Sequence, residues 1–499
     1  MLRAYLLGMQ IAFQWNNLLI SVFGVVLGIC VGALPGLSAS MGVAVLIPVT
    51  YGMNPVSGLI MLASVYCGAT YGGSISAVLI NTPGTPANVA TSWDGHAMTQ
   101  KGQGKEALTE SIVASFWGGI LSAFALLFLA PPLASFSLRF GPQENALLGV
   151  FGLSIIASLA SKSLTKGLLG GLLGLLIGSI GMDPQAGFPR YTFGVMNLMT
   201  GVPLVPALIG LYSISQVLSL VISRDKYIIN KEALEKMKGK RISVKDFFRH
   251  PRIYLESGII GIIVGIIPGA GGNIASFISY NEAKRLSKTP ELFGHGSREG
   301  IAASEAGNNG VTGGALIPML TLGIPGNAVT AILLGGLMIQ GLLPGNDLFT
   351  TRAAVTYPFI IGFFVANVFM LILGVFCAGQ FAKVVRIPSN FLSTTILILT
   401  VVGAFAINNS IVDVYIMLAF GVLGYVLKVL NLDSTPIVLG MILGPIAEKG
   451  LLQTIILQKG LIPGIASMFT RPICLVLMLM TVLSLLTPLF QARKNHKKK

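Results

Sequence analysis

A chain of 499 residues in which 53% are apolar and only 10% are charged, with a mean hydropathy of +0.80, reads as a polytopic integral membrane protein, since about 20 apolar residues cross a bilayer. The formal charge of +15 is carried outside the apolar runs, so it reads as membrane topology and excludes nucleic acid as a partner. Four isolated cysteines and four histidines without ligand spacing exclude a disulfide framework and a metal centre; with no catalytic constellation evident, the chain is not read as an enzyme or as the holder of a cofactor.

No Asp, Glu, Lys or Arg occurs from Ala4 to Trp93. With only Arg3 ahead of the apolar run Leu18 to Val31, the amino terminus is expected to be a retained segment rather than a cleaved signal. Gly32-Ala-Leu-Pro35-Gly36-Leu-Ser38-Ala-Ser40 then divides an apolar run into pieces too short to cross alone, which predicts a helical hairpin or a broken helix. A second interruption, Asn81-Thr82-Pro83-Gly84-Thr85-Pro86, follows before the polar stretch from Asp94 to Glu106. Apolar helical segments are expected near 111–131, 144–160, 164–181 and 198–222, with Lys162, Lys166, Asp183 and Arg190 as solvated charges at their turns.

Between Arg224 and Arg252 stand ten basic residues. Short basic loops stay in the cytoplasm, so residues 224–252 are expected to be a cytoplasmic linker, on the same side as the tail Lys497-Lys498-Lys499. Beyond it the first pattern begins again: Val264-Gly265-Ile-Ile-Pro268-Gly269 matches Val31-Gly32-Ala-Leu-Pro35-Gly36, and Pro325-Gly326 matches Pro83-Gly84. Two landmarks in the same order predict a repeat of about half the chain, 1–223 and 253–499, with the halves inverted in the membrane. Basic residues on both sides of Ile253 to Tyr280 predict a re-entrant hairpin with its tip at Pro268-Gly269.

The apolar stretch from Gly313 to Thr330 is interrupted at Pro325-Gly326, where proline removes a backbone donor and glycine opens other conformations, so the helix is expected to unwind. Ahead of it, Glu305 is read as interfacial or paired with Arg298, with ion coupling as the alternative. Further apolar segments are expected near 355–379, 389–407, 411–430, 434–447 and 472–490, with Asp413, Asp433 and Glu448 interfacial. The expected fold is all-α, with about 10–12 transmembrane segments plus re-entrant or broken Pro-Gly helices.

Asn81-Thr-Pro-Gly-Thr-Pro86 leading to Asp94-Gly95, then Ala275 to Tyr280, Glu299-Gly300-Ile-Ala-Ala-Ser-Glu305-Ala-Gly-Asn308-Asn309 and Leu322-Gly323-Ile-Pro325-Gly326 resemble the large membrane subunit of the tripartite tricarboxylate transporter family, the TctA family. The resemblance covers essentially the whole chain, departing from the pattern at Ser304 and Asn346, where proline is frequent. It implies a permease of the bacterial inner membrane that works with a small membrane subunit and a periplasmic substrate-binding protein and imports a carboxylate with a cation gradient, Na⁺ or H⁺.

A carboxylate in low dielectric needs charge-assisted hydrogen bonds, which unwound helices supply from backbone N–H groups and dipole ends without a cationic side chain. The candidate substrate site is therefore Asn81, Thr82, Pro83, Gly84 and Thr85 in one half, with Asn308, Asn309, Thr321, Gly323, Pro325, Gly326 and Asn327 in the other. Oxygens at Gly36, Ser38, Gly269 and Asn273 are candidates for the coupling cation. A secondary transporter is the reading that accounts for the repeat, the paired breaks and the charge-free core; a carboxylate or anion channel is the alternative, distinguished by flux that ignores a cation gradient.

Overall fold

The computed structural model describes residues 2–34, 36–159, 164–183, 187–222, 244–384 and 387–496. Pro35, Lys162, most of the basic linker and the Lys497–Lys499 tail lie outside the described residues, as does the expectation of their cytoplasmic side. The helices in chain order are α1 (Leu2–Ala12), α2 (Trp15–Ala33), α3 (Ala39–Tyr51), α4 (Pro55–Ile80), α5 (Val89–Gln100), α6 (Gly104–Ser137), α7 (Pro142–Leu159), α8 (Leu164–Gly178) and α9 (Leu204–Ile222). Beyond the linker come α10 (Pro251–Ile266), α11 (Gly271–Leu286), α12 (Arg298–Leu322), α13 (Ala328–Ile339), α14 (Ala353–Val384), α15 (Ser389–Asn408), α16 (Ile411–Val429), α17 (Thr435–Leu457), α18 (Leu461–Met468) and α19 (Pro472–His496).

Among the described residues, eight helices are long and apolar enough to cross a membrane, or nine if α18 and α19, bent by 86°, form one span. That is fewer than the expected 10–12, for a physical reason. The hairpin and break segments α3 and α13 are too short to cross, and α12 carries Glu305, Asn308, Asn309 and Thr312 along its length. Among the described residues the regular structure is helical apart from a two-residue antiparallel ladder, Gly181–Met182 against Pro189–Arg190. Arg190 on that hairpin is not a free loop charge: it pairs with Asp183 and with Glu448 of α17.

Two helices form the buried axis. All of α12 from Gly300 to Thr321 and nearly all of α4 are buried. Close approach is possible because the interfaces are glycine-lined: a Cβ on Gly28 of α2 would press on the α4 backbone at Val65 and Ala69, and one on Gly310 of α12 would press on Gly258 and Gly261 of α10. Small-residue seams of this kind replace the hydrophobic effect, which is missing between helices in lipid. Outward, Phe23, Phe128, Val402, Val422 and Val476 are exposed, as an apolar solvent requires. The segments before and after the linker interleave, since α6 packs on α12, α4 on α14, and α7 and α8 on α17.

The order of elements is shared between the two stretches. Each has two helices joined at a turn with a left-handed glycine (Gly36, φ 84°, between α2 and α3; Gly269, φ 77°, between α10 and α11), then a long buried helix (α4; α12), a left-handed residue (Asn81, φ 53°; Gly323, φ 71°), a non-helical break and a new helix.

Candidate functional site

The breaks and the turns leading into α3 and α11 border a cavity of about 650 Å³. Asn327 ends the second break by capping α13: its Oδ1 accepts the Thr330 N–H at 2.9 Å, its own N–H donates to Thr330 Oγ1 at 3.0 Å, and its Nδ2 donates to Tyr66 of α4 at 2.8 Å. Ser38 caps α3 by accepting the Met41 N–H at 3.2 Å. The turn before α11 docks on the second break, with the Gly269 N–H donating to the Gly326 carbonyl at 2.7 Å. The amino-terminal ends of α3, α11 and α13 (Ala39 and Ser40; Gly271 to Asn273; Ala328 and Val329) and the turn Thr85 to Ala87 that leads into α5 all line the cavity. The first N–H groups of a helix have no partner within it, and the dipole makes that end positive. Convergent helix starts therefore create an anion-attracting space.

Side chains reinforce this. Lys166 of α8 and Lys428 of α16 reach the lining; the first donates to the Leu430 carbonyl at 2.6 Å and the second to Gln216 Oε1 and Ser219 Oγ at 3.0 and 2.9 Å. Asn308 of α12, only 3% exposed, lines the same space and its buried Nδ2 has no partner. An unpaired buried donor costs free energy, and a ligand acceptor would satisfy it. Asp433 is the acid of the lining, and its Oδ1 accepts the Thr435 N–H and hydroxyl, each at 2.9 Å, at the start of α17.

Behind the cavity wall two carboxylates are completely buried. Asp94 of α5 accepts the backbone N–H groups of Gly294, Gly296 and Ser297 on Oδ1, each at 2.8 Å, and the Tyr280 hydroxyl on Oδ2 at 2.8 Å. It is a latch between α5 and the loop entering α12. Glu305 accepts Thr91 Oγ1 at 2.5 Å and Asn88 Nδ2 at 3.0 Å on Oε1, and Ser115 Oγ at 2.9 Å on Oε2. The expectation that Glu305 lies at the interface or pairs with Arg298 is overturned: it is 0% exposed, and Arg298 pairs with Glu106 of α6. The helix start at Ser297 places Arg298 at the open end of α12, two turns from Glu305.

The family model described as tripartite tricarboxylate transporter TctA family matches residues 18–439. The chain belongs to the TctA family. It is therefore the multi-pass membrane component of a tripartite tricarboxylate transporter, a transport subunit that acts with other subunits and not an enzyme. A relative from Agrobacterium vitis, described as an uncharacterized 52.8 kDa protein in the TAR-I ttuC' 3' region, is 35% identical over 455 residues, 91% of this chain and 90% of its own. A second from Agrobacterium vitis, an uncharacterized protein in the TAR-II ttuC' 3' region, is 36% identical over 240 residues, 47% of this chain and 98% of its own. No solved structure matches.

Of the substrate residues expected for this TctA chain, Thr85, Asn308 and Asn327 meet at the cavity, and so do Ser38, Gly269 and Asn273, expected for the cation. The others do not line it. Asn81 and Gly323 are left-handed helix ends, Thr82 donates to the Ile80 carbonyl, Thr321 to the Ile317 carbonyl, and Asn309 Nδ2 to the Glu305 carbonyl. Gly84 and Gly326 are close-packing positions, Pro83 and Pro325 lie in the breaks beside them, and Gly36 (φ 84°) makes the first hairpin turn. Sequence reasoning missed Tyr66, Lys166 and Lys428 as lining residues. The cavity therefore has two lysines in its lining, where the site expected from the sequence had no cationic side chain, and only their position at the ends of apolar runs distinguished them from loop charges.

Proposed function

We propose that this chain is the permease of a binding-protein-dependent secondary transporter of the bacterial inner membrane, importing a tricarboxylate or related carboxylate with a cation gradient. The observation that carries the reading is the convergence of three helix amino termini, Lys166, Lys428 and the unpartnered Asn308 amide on one cavity beside both Pro-Gly breaks. Several carboxylate groups need several donors, and here backbone dipoles and two cations supply them from different sides. The shared order of elements supports two repeated, inverted halves that rock about the cavity, which is how broken helices serve alternating access. A small membrane subunit and a periplasmic binding protein complete the complex in this reading.

The test is uptake of radiolabelled citrate into proteoliposomes containing the three subunits. Lys428→Met and Lys166→Met each remove one charged partner and are expected to raise the half-saturating concentration by roughly 10- to 150-fold, the range for a hydrogen bond to a charged group. Unchanged half-saturation in both variants would remove the cavity from the transport path.

A further inference from the structure

Glu305 is the residue that the cavity's anion chemistry leaves unused. It is wholly buried, and among the described residues no Lys, Arg or His forms an ion pair with it. A buried charge without a counter-charge is strongly disfavoured unless hydrogen bonds, a proton or a cation offset it, and Glu305 accepts only three side-chain donors, where Asp94 accepts three backbone N–H groups and a hydroxyl. The surroundings show what that can be. The oxygens of Thr91 and Ser115 already stand at 2.5 and 2.9 Å from the carboxylate, whereas a sodium ion held between two oxygens would spread them further apart. A proton needs no such space.

The connection to the cavity is direct. Thr85, in the lining, donates its hydroxyl to Asn88 Oδ1 at 2.6 Å, and Asn88 Nδ2 donates to Glu305 Oε1 at 3.0 Å. Asn88 is 0% exposed, and Gly73 leaves its amide room, since a Cβ there would run into Asn88 Oδ1. We propose that Glu305 is the proton-coupling site of this permease and that Asn88 transmits its protonation state to Thr85 at the cavity wall. This rests on the carboxylate-permease reading above.

The mechanism follows from donor counting. A deprotonated Glu305 only accepts, so Asn88 must turn its NH₂ group towards it and its Oδ1 towards Thr85; the Thr85 proton is then consumed inside the wall. When one proton binds, the carboxylate becomes a carboxylic acid and its O–H is a donor. It can donate to Asn88 Oδ1 once the amide has turned over, which brings Nδ2 to Thr85. Thr85 then accepts from the wall and points its own proton into the cavity, where a substrate carboxylate can accept it. Proton and carboxylate therefore favour each other's binding, the condition for symport, and the coupling is reciprocal. When the proton leaves, the donor is withdrawn and the carboxylate is released with it.

Other groups around Glu305 do not replace it. From α4 the nearby titratable group is Tyr71, a phenol with no hydrogen-bond partner. α5 presents Thr91 and α6 presents Ser115, while Asp94 on α5 and Glu110 on α6 are engaged by Tyr280 and Tyr254. From α11, Ser276 donates to the Ser304 carbonyl, and on α12 itself Arg298 pairs with Glu106 and Glu299 accepts from Ser287.

Two measurements test this. Infrared difference spectra of the full chain in lipid should show a carboxylic-acid C=O band that appears as pH is lowered and is absent in Glu305→Gln. No Glu305-dependent band, or one that follows Na⁺ at fixed pH, overturns the proton site. In proteoliposomes with the partner subunits, apparent affinity for radiolabelled citrate should strengthen by roughly 5- to 150-fold as Glu305 is protonated. Glu305→Gln should retain only the pH dependence of citrate's own carboxyl groups, and a pH gradient should no longer concentrate citrate. Thr85→Val should keep the infrared band yet lose the pH-dependent affinity; full pH dependence in Thr85→Val overturns the transmission through Asn88. Absence of citrate flux in the wild type at every gradient overturns citrate as the carried carboxylate, while the infrared band still decides the protonation of Glu305.

Discussion

Gly84 and Gly326 are read differently once their neighbours are known. A Cβ on Gly84 would meet the Gly32 carbonyl and Gly73 Cα, and one on Gly326 would meet the Gly265 carbonyl and Ala315. Both glycines thus let a break close against the helix that precedes a hairpin turn, α2 in one case and α10 in the other. Because the obstacles are mainly backbone atoms, even alanine has no flexible neighbour to displace. Gly84→Ala and Gly326→Ala are each expected to lower stability by about 1–3 kcal/mol, read as a fall in melting temperature and in monodisperse yield. A leucine at either position is therefore expected to cost folded protein before it tests ligand binding. Melting equal to wild type in both alanine variants would show that the breaks do not close as the structure has them. At this scale the Pro-Gly dipeptides were legible, because their backbone chemistry is local, but their packing partners were not.

At the scale of the element, the latch at Asp94 joins α5 to the loop before α12. Three N–H groups and one hydroxyl converge on a carboxylate with 0% exposure, so the charge is balanced by hydrogen bonds and not by a cation. Asp94→Asn keeps the shape but removes the charge, and is expected to destabilise the detergent-purified protein by about 1.5–3 kcal/mol. Tyr280→Phe, which removes one donor to the carboxylate, should cost less, about 1 kcal/mol. Equal melting of Asp94→Asn and wild type would mean that α5 is held by packing alone. In the sequence Asp94 opens the polar stretch that runs to Glu106. Its partners lie about two hundred positions later, and no local pattern links the two segments. The helix ends at the Pro-Gly interruptions, by contrast, were legible in the sequence. The crossing count was not, because α12 is held inside the protein and tolerates polar residues that a lipid-facing span could not.

At the scale of the whole molecule, the described residues form interleaved helices around the cavity that the breaks border. On the three-subunit reading proposed above, uptake by cells expressing this subunit alone is expected near background, and should appear when a small membrane subunit and a periplasmic binding protein are supplied. Concentrative uptake by the isolated chain would overturn that dependence. Hydropathy by itself determined that this is a multi-pass membrane protein, the Pro-Gly breaks determined where its helices unwind, and the motif blocks determined its family, because each is written in consecutive residues. Only the tertiary structure decided that Thr85, Asn308 and Asn327 share one cavity with Lys166 and Lys428, and that Glu305 is buried beneath Asn88 and not paired with Arg298. Those facts depend on which helix faces which, and that is set by close contacts between glycine-lined surfaces far apart in the chain.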